Sequence, residues 1–171
     1  MTNALRANSE QELLEVWQHH VHSEFVLKDA KRALTTMSSN PHVLFVPIAT
    51  GGRGREGVLR FYRDYFLAQL PADIRPIVVS QVVGKDILVE EAVYRFTHDQ
   101  VMDWFAPGVA PTRKSVEIGV VAIVKFENAK IASEHVTGIK AAFWPSWASS
   151  IRRRCRRRAQ KPPALCWTGQ G

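Results

Sequence analysis

The sequence predicts an α+β fold, three helices followed by a strongly bent antiparallel sheet. Apolar residues recur at helical spacing as far as about residue 70 and at strand spacing from residue 76 onward. The second half is broken by Gly, Asn and Pro turns into four apolar runs. A chain of 171 residues has room for one domain and one core.

Ser9 suits a helix N-cap, and Glu12 three residues on completes a capping box. Leu13, Trp17, Val21 and Phe25 then repeat every fourth position, the stripe of a first helix. Asp29 can cap a short second helix with Ala30, Ala33, Leu34 and Met37 inward. "HVLFVPI" (42–48) reads as a short strand and "TGGRGREG" (50–57) as a loop. Val58, Leu59, Tyr62, Tyr65 and Phe66 mark a third helix that ends before Pro71. Strands are expected over 76–84, 86–99, 114–128 and 130–136. In the longest, Val116, Ile118, Val120, Ala122, Val124 and Phe126 alternate onto one face. "DWFAPGVAPTRK" (103–114) is a Pro/Gly-rich loop placed to cover a pocket mouth.

The net charge of +7 suggests a nucleic-acid partner, but its distribution argues otherwise. Eight of the 23 Lys and Arg residues lie beyond residue 136, leaving 15 against 16 acidic groups and a net charge of −1 for residues 1–136. That body has no electrostatic reason to seek phosphate. Both cysteines, Cys155 and Cys166, also lie in the tail, so the body holds neither a disulfide nor a thiolate metal site. No apolar run reaches the roughly 18 residues of a membrane span, and the first residues lack a secretory pattern. The cytoplasm is the default location.

Four stretches carry a family resemblance: "SEFVLKDAKRAL", "TGGRGREGVLRFYRDYF", "RFTHDQVMDWFAPGVAPT" and "IVKFENAKIASEH". Together they resemble the nuclear-transport-factor-2-like superfamily in its SnoaL-like polyketide-cyclase branch, over roughly residues 9–136. The resemblance implies a cone-shaped roll, helices on a curved antiparallel or mixed sheet whose concave face encloses a small-molecule pocket. Members include cyclases and isomerases, and many have no assigned activity, so two functions are expected: a cofactor-free and metal-free enzyme of the cyclase or isomerase type, or a non-catalytic module that holds a hydrophobic ligand or forms a homodimer.

After "EH" that branch continues as an aromatic-Trp-Asp-Gln segment, whereas this chain reads "VTGIKAAFWPSWASSI". Reading the codons one base out of step turns Phe143/Trp144 into Leu, Trp144/Pro145 into Ala and Trp147/Ala148 into Gly, with no other choice. One back-translation restores the whole expected ending. Residues 137–171, with "SSIRRRCRRRAQKPP" at 149–163, are therefore expected to be an out-of-frame, disordered tail and not a nucleic-acid arm. Sequencing the transcript across codon 136 tests this; an intact message in the present frame removes the idea.

Candidate site residues follow from strand alternation. Leu88, Glu90, Ala92, Tyr94, Phe96 and His98 share one face. If it is concave, His98 sits at the end of an apolar wall and could move a proton near neutral pH; a histidine bonded to backbone at a strand end is the rival. Glu134 and His135 face opposite ways, and His135 is favoured as the proton carrier, as the family's "EH" implies. Whether His98 and His135 point into one cavity separates an enzyme from a binding module: on opposite sides of the sheet, the enzyme reading loses most of its support. Glu24 can reach the cone interior or pair with Lys28 at i+4, the pairing being favoured. Tyr62 is expected in the core with its hydroxyl toward the pocket. Trp104 and its neighbour Phe105 can stack on a planar ligand or form a dimer contact. His19, His20 and His22 are read as a solvated helix face lacking the carboxylate a metal site needs.

Overall fold

The computed structural model describes residues 9–138. The element order is α1 (Glu10–Phe25), α2 (Ala30–Thr35), β1 (Met37–Phe45), β2 (Thr50–Arg53), α3 (Gly54–Phe61), β3 (Arg75–Val83), β4 (Ile87–Thr97), β5 (Ser115–Glu127) and β6 (Lys130–Gly138). The six strands form one mixed sheet in the order β2-β1-β6-β5-β4-β3, parallel between β1 and β6 and antiparallel elsewhere. The three helices pack on it, an α+β roll. Among the described residues no helix is long and apolar enough to cross a membrane. Beyond Gly138, the tail expected from the sequence lies outside the described residues.

The first helix is capped as expected, Ser9 Oγ accepting from the Glu12 N–H at 3.1 Å. Its buried face differs: Leu13, Trp17, His20, Ser23 and Glu24 are buried, while Val21 and Phe25 are half-buried. An α-helix turns 3.6 residues, so a strict four-residue repeat drifts about 40° per step. Positions 13, 17, 20 and 24 follow the helix more closely, which carries a histidine and a glutamate inside. Asp29 caps α2 through Arg32 N–H at 3.0 Å. Met37, expected in that helix, begins β1 instead.

"TGGRGREG" is more ordered than the loop expected: its first half is β2 and its second the opening of α3. The third helix widens into a π-helical turn over Tyr62–Phe66 and tightens to a 3₁₀ turn over Leu67–Gln69, ending before Pro71. Such π turns often occur at functional positions, and this one carries Tyr62.

Strands β5 and β6 are joined by Asn128 and Ala129, both at positive φ (50° and 54°), as a two-residue type I′ hairpin turn requires. Immediately after it the register shifts: Phe126 faces Ile131 and Lys125 faces Ser133, so β6 carries one extra residue. This bulge reverses the alternation on β6. Ile131 points inward before it, Glu134 and Val136 after it.

Candidate functional site

Four ionisable or hydroxylic side chains meet inside the cone between α1, α3 and β6. His20 Nε2 lies 3.2 Å from Glu24 Oε1, one helical turn along, and 3.5 Å from Glu134 Oε2. The Tyr62 hydroxyl donates to Glu134 Oε2 at 3.0 Å and stands 3.1 Å from His20 Nε2. His20, Glu24, Glu134 and Tyr62 are all buried.

Hydrogen-bond directions fix the protons. The Thr36 hydroxyl donates to the Ala33 carbonyl at 2.7 Å, so its oxygen receives His20 Nδ1–H, also at 2.7 Å. Nε2 faces carboxylate oxygens of Glu24 and Glu134 at 3.2 and 3.5 Å, acceptors that call for a proton on it. Both ring nitrogens then carry protons, and His20 is an imidazolium between two carboxylates. Burial alone would lower the His20 pKa. The Glu24 charge and the bonds to Glu134 and Glu24 outweigh it and hold the value at about 10. The Glu24 carboxyl is raised above its ordinary range, burial being the first cause, despite its imidazolium neighbour. Burial and the two carboxylates push Tyr62 well above the usual phenol range.

The imidazole and both carboxylates each offer one ligand atom within 4.8 Å of the others, a spacing that could hold a metal ion. The shared protons supply positive charge at the same point.

A recess of about 390 Å³, measured out to its open side, lies further along the concave face. Its lining includes Phe45, Tyr94, Trp104, Phe105, Ile118 and Val136. It is almost wholly apolar, and little more than a water-sized molecule fits without movement of the walls. The reason is an aromatic cluster: Trp104 packs edge-on against Phe66 at 5.0 Å and Phe45 at 5.3 Å, and Phe45 touches Phe61. Tyr94 connects recess and cluster. Its ring lines the recess and meets Phe25 edge-on at 5.2 Å. Burial, then the charges of Glu24, Glu134 and Glu90, raise its pKa well above the phenol range.

The sequence-derived candidates fall in several places. His135 is on the outer face, its ring 5.2 Å from that of His42 and opposite in the sheet to Leu44 and Ile123. The expectation that His135 enters the cone is therefore reversed: Glu134 enters. His98 is buried at the far end of β4, where Nδ1 accepts from the Thr112 N–H at 3.3 Å. Its own backbone bonds Lys114 and Arg113, so it ties down the 103–114 loop. The two histidines share no cavity, so the support that the enzyme reading drew from them is lost. Glu24 turns inward, and the pairing favoured with Lys28 is not made; Lys28 Nζ donates to the carbonyls of Leu70 and Pro71. Glu90 is held by Trp17 Nε1–H at 2.9 Å and Gln81 Nε2–H at 2.6 Å. Phe96 is buried edge-on to Phe105. Trp104, read as a loop aromatic free for stacking or dimer contact, is only 2% exposed and belongs to the core.

Comparison with solved structures gives close likeness in shape at low identity. A protein of Jannaschia sp. CCS1 described as a SnoaL-like polyketide cyclase superposes with a TM-score of 0.64 at 16% identity, covering 92% of this chain and 98% of its own. One of Acidithiobacillus ferrooxidans, described as a polyketide cyclase, gives 0.61 at 13%, covering 90% and 99%. The epoxide hydrolase/cyclase-like enzyme SalBIII, of pyran ring formation in salinomycin, gives 0.58 at 14%, covering 80% and 98%. The fold is the SnoaL-like, nuclear-transport-factor-2-like cone. No family model matches the sequence, and no curated protein does.

Within this SnoaL-like cone, His20 is the residue that sequence reasoning missed. The signal was present: His20 and Glu24 stand at i and i+4, in phase with Leu13 and Trp17. Choosing Val21 and Phe25 as the buried stripe turned that pair outward.

Proposed function

We propose that this chain is a small-molecule pocket protein of the SnoaL-like type, running cofactor-independent acid–base chemistry next to a carbonyl group, as in a cyclase or isomerase. One observation carries the reading: an imidazolium, two carboxylates and a phenol converge in a buried cluster whose charges reach Tyr94 on the wall of the aromatic recess. In the proposed step Glu24 accepts the proton from the carbon next to the carbonyl; its raised pKa makes it the stronger base of an ordinary carboxylate pair. The negative charge that develops on the carbonyl oxygen is met by the Tyr62 hydroxyl, whose proton turns from Glu134 to that oxygen while His20 stays beside Glu134. The proton returns from Glu24 to a different carbon of the same molecule, which balances the isomerisation. A guest reaches Tyr94 and the carboxylates only if the segment carrying Trp104 and Phe105 swings aside.

Proton–deuterium exchange at the α-carbon of 2-tetralone, followed by NMR, tests the reading. Saturable exchange by the native chain, slowed about a hundredfold or more in E24Q and Y62F, is the expected result. Unchanged exchange in both folded variants overturns it. The filled recess favours a second reading, a non-catalytic ligand-binding or dimerisation module, which predicts binding of the ketone without exchange. A second copy of the chain is the proposed partner for the outer sheet face, where Val82, Val89 and Ile123 lie side by side in register.

A further inference from the structure

A second recess lies away from the aromatic one, an open groove between α1 and β3 with Glu90 at its floor. Trp17, Val21 and Phe25 wall it from the helix, Ile74, Pro76 and Val78 from the other side. Glu90 is 7% exposed. Its two hydrogen bonds, from Trp17 Nε1 and Gln81 Nε2, both end on Oε2. Oε1 takes no described bond, and among the described residues no Lys, Arg or His forms an ion pair with Glu90.

A carboxylate taken largely out of water without a countercharge costs free energy that a cation recovers. Burial is the first cause raising the Glu90 pKa, and the charge of Glu134 adds to it. The other charged or titratable side chains of the groove are His22 on α1 and Arg75 at the start of β3. Arg75 pairs in register with Arg95, five residues along β4 from Glu90, at the other end of the groove. Beside Glu90 the walls are aromatic and aliphatic. Aromatic faces attract cations, and an alkyl or aryl body covers the valines.

We propose that this groove binds an organic ammonium ion, its nitrogen on Glu90 Oε1 and its apolar body along Trp17, Phe25 and Val78. The site does not depend on the acid–base reading: it uses neither His20, Glu24, Tyr62 nor the aromatic recess. It also gives the Trp17–Glu90–Gln81 contact a role beyond joining α1 to the sheet, since those two donors fix the carboxylate so that one oxygen faces the groove.

The probes are benzylamine, charged at neutral pH, and benzyl alcohol, its neutral counterpart of similar size. The readout is the indole N–H resonance of Trp17 in ¹⁵N-labelled protein, which reports on the Glu90 bond directly. Benzylamine should shift it saturably and bind about ten-fold tighter than benzyl alcohol. E90Q keeps an acceptor for Trp17 but loses the charge, and should abolish the difference. V78K, at a position 55% exposed and so tolerant of change, should weaken benzylamine by a similar factor and leave benzyl alcohol unaffected, even if E90Q fails to fold. Equal affinity for the two probes, or undiminished preference for benzylamine in folded E90Q or V78K, overturns the proposal.

Discussion

At His20 the protein holds a charge where burial opposes one, and the consequence is measurable. Its folded-state pKa of about 10 stands above the ordinary 6.5. The imidazolium therefore contributes its full stabilisation below pH 6.5 and loses it as pH rises through about 10. Glu24, also raised, adds stability at acid pH that is lost as pH rises through its folded-state pKa, above the ordinary carboxylate range. The thermal midpoint should fall from pH 7 to pH 10, by calorimetry. In H20N it should start lower and fall less; a parallel decline would mean that other groups set the slope. Removing the Tyr62 hydroxyl takes from the buried Glu134 carboxylate the shorter of its two contacts, leaving His20 at 3.5 Å, so Y62F should lose roughly 1–3 kcal/mol of stability by urea denaturation.

At the level of elements, the junction of β2 and α3 places Tyr62 over Glu134. It depends on two glycines packed backbone to backbone. A Cβ on Gly52 would stand 2.4 Å from the Gly57 carbonyl oxygen, where nothing flexible can give way. G52A should destabilise by roughly 1–3 kcal/mol. G119A is the comparison, since a Cβ there meets nothing within 4 Å. It should be neutral or slightly stabilising by restricting the unfolded chain, by about 0.4–1 kcal/mol at most. Similar midpoints for the two variants would show that the junction yields more easily than its geometry implies.

For the whole molecule, the dimer we propose rests on the outer sheet face. Val82 is 67% exposed and Ile123 38%, with Val79 nearby at 59%. Large apolar residues grouped on one face of a sheet mark an interaction surface. Light scattering should give about twice the chain mass of 19.3 kDa, and the V82D/I123D pair should reduce it to one. A native monomer at micromolar concentration would remove the dimer.

How much was legible follows from range. Capping at Ser9 and Asp29, the alternation of β5 and the change from helical to strand spacing are local, and each was read from neighbouring residues. The apolar wall of Leu88, Ala92 and Phe96 was legible for the same reason. By itself the sequence determined three helices, the strands from residue 76 onward and a nearly neutral body. Only the tertiary structure decided which acid entered the cone. A single extra residue after Ile131 reversed the faces of Glu134 and His135, and such a bulge is set by pairing with a distant strand. His20 was likewise decided by its partners, because its burial is matched by Glu24 on the same helix and by Glu134, Tyr62 and Thr36 from other segments.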